Sequence, residues 1–153
     1  MSTTVESQFA ASAPLLSVKQ MRLERPELGS HGTIVAGMDL ELAPGESIGI
    51  VGESGSGKSM TAKALTGLLP ESIFASGQAE YRGTDLIGLT EKQWRSIRGR
   101  EIGLVMQDPF TMLNPVMRCG RILEESIVGD KRMSRAEKRA EAIRRLAEVG
   151  ITD

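Results

Sequence analysis

Residues 52–59, "GESGSGKS", place Gly52, Gly57, Lys58 and Ser59 in the spacing Gly-x-x-x-x-Gly-Lys-Ser. Each residue type in this pattern has a mechanical use. Glycines carry no Cβ, so the backbone can curl until several amide N–H groups face a single anion. A helix starting where the loop ends adds its positive N-terminal dipole. Lys58 brings a full positive charge that can reach the β and γ phosphates of a nucleoside triphosphate, and Ser59 offers a hydroxyl to the magnesium ion bridging them. The candidate phosphate contacts are therefore Gly52, Glu53, Ser54, Gly55, Ser56, Gly57, Lys58, Ser59 and Met60. Within this run the side chain of Glu53 is free to face solvent. Ser54 and Ser56 are expected to serve as small residues whose backbone does the binding. The competing interpretation is a glycine turn with no ligand.

A phosphate loop needs a strand before it and a helix after it, and both are expected here. "SIGIV", residues 47–51, is short and apolar on both faces, the pattern of a strand buried inside a parallel sheet. The segment from about Gly57 to Leu69 reads as a helix that stops before Pro70. Upstream, "LLSVKQMRL" has apolar residues at 16, 18, 21 and 23, a strand pattern with one irregularity. A second strand runs through Met38, Leu40 and Leu42 to the turn at Pro44-Gly45. Downstream, a short strand is expected over Gln78 to Tyr81, followed by a turn at Arg82-Gly83. Thr90 with Gln93, and Ser134 with Glu137, form capping boxes that open two helices. In the second of these helices Ala136, Ala140, Ile143, Ala147 and Gly150 recur at helical spacing and mark an apolar stripe. "EIGLVM", residues 101–106, reads as another buried strand. It leads into "QDPFTMLNP", where two prolines argue against regular structure.

Composition narrows the partners. The chain has 153 residues, of which 40% are hydrophobic, enough for a core of about one domain. With 19 basic and 20 acidic residues it lacks the charge needed to wrap a nucleic acid or an anionic membrane. Cys119 is the only cysteine, which excludes an internal disulfide and a four-cysteine zinc site. It reads as a small apolar residue. Residues 1–14 are expected to form a disordered tail. They lack the apolar centre of a secretory signal, and no apolar run approaches the 18 or so residues that span a bilayer.

The nature of the P-loop turns on "EIGLVMQDPF". If Asp108 were the magnesium-binding carboxylate after an apolar strand, the chain would be a small P-loop kinase using Lys58 and Asp108. In that arrangement the carboxylate follows the apolar run directly, whereas here Gln107 intervenes and Pro109 breaks the backbone. The stretches "LAPGESIGIVGESGSGKSMTAKALTGLLP", "GTDLIGLTEKQWRSIRGREIGLVMQDPFTMLNPV" and "RRLAEVGITD" resemble the ATP-binding subunits of ABC transporters, in the peptide/nickel importer branch. The resemblance covers about Leu15 to Asp153.

It implies an α/β P-loop NTPase fold of ABC ATPase type. That fold is a partial RecA-like core with an N-terminal antiparallel β-subdomain and the start of the α-helical subdomain, over residues 15–153. It implies ATP and Mg2+ as cofactors, and Ser59 and Gln107 as metal ligands, Gln107 being the Q-loop glutamine. Val35 aligns with the residue beside the ribose and base. Most members place an aromatic ring near the end of the first strand to stack on adenine. Here "LERP" offers none, so Arg25, whose guanidinium plane can stack on a base, is the nearest match.

Implied partners are a second ATP-binding subunit, identical or not, two membrane permease subunits and, indirectly, an extracytoplasmic solute-binding protein, with no nucleic acid. The implied location is peripheral, on the cytoplasmic face of the inner membrane. The signature motif, the Walker B strand with its catalytic glutamate and the switch histidine are not present within these residues. The expectation is therefore that the full-length protein is a transport ATPase and that this chain, truncated before the signature motif, binds nucleotide without turnover and carries no catalytic residue. A non-hydrolysing nucleotide-binding remnant remains the alternative.

Overall fold

The computed structural model describes residues 13–127 and 133–152, and the chain divides into two compact units, Met1–Ser96 and Ile97–Asp153. All but the last two residues of the expected N-terminal tail lie outside the described residues.

The first unit is built on a four-stranded antiparallel sheet. Its strands are β1 (Leu16–Glu24), β2 (Thr33–Leu42), β3 (Phe74–Tyr81) and β4 (Thr84–Asp85), in the order β2-β1-β3-β4. The central strand β1 places Val18, Met21 and Leu23 in the core, with Ala79 and Tyr81 of β3 buried on the same side as their ladder partners permit. A spacing of three and then two cannot follow from a plain alternation. It arises because the ladder to β2 runs Val18↔Leu40 and then Met21↔Met38, with Gln20 bulged between at φ 48°. The bulge returns Met21 to the buried face. Asp39 holds it, accepting from the Gln20 backbone N–H at 2.8 Å and from its side-chain amide at 2.7 Å. The irregularity read from the apolar spacing of β1 is this bulge.

Two helices pack in this unit, α1 (Lys58–Leu65) and α2 (Glu91–Ile97), although the last residue of α2 belongs to the second unit. α1 ends four residues earlier than its apolar pattern suggests. Gly67 at φ +65° closes the helix, with the Leu68 N–H donating to the Lys63 carbonyl at 2.8 Å. Gly67 has a packing reason as well: a Cβ there would come within 2.4 Å of the Trp94 indole, which is buried. The expected Thr90–Gln93 capping box is present, with Gln93 Oε1 accepting from the Thr90 N–H at 2.9 Å.

The two parallel strands expected from "SIGIV" and "EIGLVM" do not form. Residues 46–53 are irregular, and Ile48, Ile50 and Val51 are 42%, 41% and 92% exposed. Residues 103–106 are likewise irregular, with Val105 91% exposed and only an isolated bridge, Arg98↔Ile102, nearby. A strand is stable only against a neighbour that satisfies its backbone groups, and neither segment has a ladder partner among the described residues. The parallel layer expected of the partial RecA-like core is not formed among the described residues, which hold the antiparallel sheet and four helices.

The second unit contains α3 (Cys119–Ser126) and α4 (Arg135–Glu148), which pack on each other. α3 was not anticipated, and Cys119, its first residue, is exposed rather than packed. Pro109 opens a short 3-10 turn, Pro109–Met112, where the two prolines had argued for an irregular loop. α4 begins at the expected box: Glu137 accepts from the Ser134 N–H at 2.6 Å, and the Ser134 hydroxyl accepts from the Glu137 N–H at 3.3 Å. Its packed face differs from the expected stripe. Ala142 is buried and Leu146 half-buried, while Ile143 is 58% exposed. The contact with α3 selects the face, and the stripe of alanines is left outside.

Glu141 on α4 accepts from Arg144 at 2.7 and 2.8 Å and from Arg145 at 2.7 Å, and Arg144 also pairs with Glu148. These bonds from Arg144 and then Arg145 hold the Glu141 carboxyl down from 4.5 to about 2. A depressed carboxylate contributes to helix stability above its unfolded pKa and loses that contribution as the pH falls through its folded value. The expected result is a fall in α4 helicity, followed by circular dichroism, as pH drops from 4.5 to about 2. In Glu141→Gln that component of the titration is missing.

Candidate functional site

The loop between residue 52 and α1 is shaped by two left-handed glycines, Gly55 at φ +83° and Gly57 at φ +90°. Gly57 is the N-cap of α1, and the Thr61 N–H donates to its carbonyl at 2.8 Å, closing the first helical turn. No side chain caps this helix and no acidic residue lies in its first turn. The first amides of a helix have no partner within it. At α2 and α4 a capping box meets that need, whereas at α1 the donors of Lys58, Ser59 and Met60 stay open to an anion.

Gly57 is buried because it lies directly on β2. A Cβ at this position would stand 2.6 Å from Val35 Cγ2 and 3.0 Å from the Ile34 carbonyl oxygen. The glycine is thus required twice, by its backbone angle and by the strand beneath it. Val35 itself is half-buried and pairs with Leu23 of β1, so the residue expected beside the nucleotide is in contact with the end of the loop.

Lys58 turns back over the loop. Its ammonium donates to the Gly52 carbonyl at 2.7 Å, the Glu53 carbonyl at 2.6 Å and, more loosely, Ser56 Oγ at 3.4 Å. Three donors meet three acceptors, and the charge is held at the mouth of the loop. Ser56 had been expected to act through its backbone alone; its hydroxyl is in fact one of the lysine's acceptors. Nothing in the residue order signals this, because it depends on how the loop folds over itself. Glu53, Ser54 and Gly55 are exposed, as is Ser59, while Met60 is half-buried on α1.

Arg25 follows the last residue of β1 and sits at the end of the ladder that carries Val35. Its N–H donates to the Gly32 carbonyl at 2.8 Å, and its carbonyl accepts from Leu28 at 3.1 Å. The side chain is half-buried and its Nε is buried with no hydrogen-bond partner among the described residues. Gln107 belongs to the second unit, exposed on the bend that precedes the Pro109–Met112 turn, and Asp108 beside it is also exposed. The structure therefore brings Val35, Gly52, Ser56, Gly57 and Lys58 together within the first unit and places Gln107 in the other.

For a metal, the described residues contain no group of three or more His, Cys, Asp or Glu side chains able to hold one. The Ser59 hydroxyl and the Gln107 amide oxygen are hard, neutral donors of the kind magnesium accepts when phosphates supply the remaining charge. No helix among the described residues is long and apolar enough to cross a membrane.

The family model described as ABC transporter matches residues 35–153. The chain is 37% identical over 139 residues to the oligopeptide transport ATP-binding protein OppD of Bacillus subtilis (strain 168), covering 90% of this chain and 39% of that protein. It is 42% identical to the oligopeptide transport ATP-binding protein OppD of Escherichia coli (strain K12), with 91% and 41% covered. It is 38% identical to the dipeptide transport ATP-binding protein DppD of Bacillus subtilis (strain 168), with 91% and 42% covered. The chain spans about two fifths of the length of these relatives.

Proposed function

Because this chain belongs to the ABC transporter family, we propose that it binds ATP with magnesium and serves as the nucleotide-binding part of an importer of peptides or related small solutes. The observation that carries the reading is the loop at α1: an uncapped helix start, a left-handed Gly57 pressed on β2, and the Lys58 ammonium held at the loop's mouth. In this reading the amides of residues 52–60 and Lys58 take the phosphate oxygens. Ser59 and Gln107 are the oxygen donors to magnesium. Val35 and Arg25 flank the ribose and base, with the buried, unpartnered Arg25 Nε consistent with a guanidinium plane held for stacking. Gln107 suits a site that must open and close, since a neutral amide can release a metal and leave no unpaired charge behind.

Bound magnesium would supply charge neutralisation between the phosphates. The chain's own residues orient the nucleotide. The loop's own carboxylate, Glu53, is exposed, and turnover is assigned to the longer protein working with a second ATP-binding subunit. Coupling to import is assigned to two membrane permeases on whose cytoplasmic face the chain would sit, with a solute-binding protein acting through them.

The test is calorimetric titration with Mg-ATP. Wild type is expected to bind, and Lys58→Ala to lose about 100-fold in affinity, the scale of one buried charge-assisted contact. Arg25→Ala is expected to weaken ATP about tenfold, and unchanged affinity would end the stacking role. Gln107→Ala is expected to reduce the dependence of binding on magnesium, whereas Asp108→Asn leaves it unchanged. The reverse order would point instead to a carboxylate-bound metal.

A further inference from the structure

Gly52 is the first fixed glycine of the loop, yet its φ lies outside the left-handed range that Gly55, Gly57 and others occupy. Backbone angle therefore does not demand a glycine there. What a side chain would meet is specific: a Cβ on Gly52 would stand 2.7 Å from Ser56 Oγ and 3.5 Å from Ser56 Cβ, with nothing else within 4 Å. The 3.5 Å approach is ordinary contact, and the 2.7 Å approach is a collision with the hydroxyl alone. That hydroxyl is the side-chain acceptor of Lys58, and the Ser56 N–H is tied to the Glu53 carbonyl at 3.2 Å, which fixes the direction from which the side chain leaves the backbone.

We propose that Gly52 and Ser56 act as one positioning unit for Lys58: the missing Cβ of Gly52 leaves the space in which the Ser56 hydroxyl stands, and the hydroxyl steadies the ammonium at the phosphate seat. This rests on the nucleotide-binding reading above. An alanine at 52 forces the hydroxyl into another rotamer, away from Lys58. It thus removes the same contact that Ser56→Ala removes. Two substitutions that delete one interaction do not add.

The experiment uses the full chain as wild type, Gly52→Ala, Ser56→Ala and the double variant. The first reading, without nucleotide, is the 15N-correlated resonance of the Lys58 ammonium. It is expected to shift to a common position in all three variants. The second is affinity for Mg-ATP by calorimetry. Each single variant is expected to weaken binding about threefold, the scale of one weak hydrogen bond to a charged donor, and the double variant also about threefold. A double variant weakened about ninefold, the product of independent effects, overturns the proposal, as does a Lys58 resonance unmoved in either single variant. If Gly52→Ala does not fold, recovery of the fold in the double variant supports the coupling and failure of both overturns it. A wild type that does not bind Mg-ATP overturns the nucleotide reading, and the ammonium resonances still decide whether the pair exists.

Discussion

Gly57→Ala is expected to abolish measurable nucleotide binding and to destabilise the chain, because the substitution fails in two independent ways. The left-handed backbone at φ +90° costs an L-residue about 1–2 kcal/mol. The new methyl must also find room where Val35 Cγ2 stands 2.6 Å away and the Ile34 carbonyl 3.0 Å away. The valine methyl can yield, but the carbonyl is main chain of β2 and moves only with the strand. Overpacking of this kind adds about 1–3 kcal/mol. The relief available is for the helix start to lift from β2, which moves the amides of Lys58 and Ser59 off their positions. Gly55→Ala is the control: its φ of +83° is equally left-handed, but nothing lies within 4 Å of the added Cβ. Urea denaturation should show Gly55→Ala losing only the conformational part, with the difference between the two variants measuring the contact with β2. Equal losses would mean that β2 does not constrain the loop.

Gly77→Ala is expected to be the most damaging single methyl in the first unit, at about 3 kcal/mol or more. Gly77 adopts φ +93°, and its Cβ would lie 2.4 Å from the Gln20 carbonyl oxygen, 2.8 Å from the carbonyl carbon and 2.9 Å from the Lys19 carbonyl oxygen. All three are backbone atoms of the β1 bulge, so no side chain can swing aside. The bulge itself cannot relax without rotating Val18 or Met21 out of the core, since a one-residue shift exchanges the two faces of a strand. Gly83→Ala, at φ +77° with open space around it, should lose far less. Thermal unfolding of the two variants checks the ranking, and a similar midpoint for both would show that the bulge is not held by β3. Because total stability for a domain is only about 5–15 kcal/mol, Gly77→Ala removes a large share of it.

The features legible in the residue order share one property: they are decided within a turn or two of chain. The capping boxes at Thr90 and Ser134, the turns at Pro44-Gly45 and Arg82-Gly83, and the glycine turns of the 52–59 loop all depend on residues a few positions apart. So does the bulge, which announced itself as a break in alternation between Val18 and Met21. The stop of α1 at Leu65 was misjudged because Gly67 serves Trp94, a residue far along the chain.

The order of the residues by itself determined which groups the loop offers: glycines for backbone freedom, a lysine ammonium and serine hydroxyls. Tertiary structure alone decided three other matters. Residues 46–53 and 103–106 have strand-forming sequences but no ladder partner among the described residues, and the strand, being a property of a pair, is absent. α4 buries Ala142 rather than its alanine stripe because α3 chooses the face. The Lys58 ammonium rests on Gly52, Glu53 and Ser56 because the loop closes on itself, bringing a hydroxyl into the space that a missing Cβ leaves open. Local stereochemistry is written in neighbouring residues, whereas pairing and close packing depend on atoms that meet only once the chain has folded.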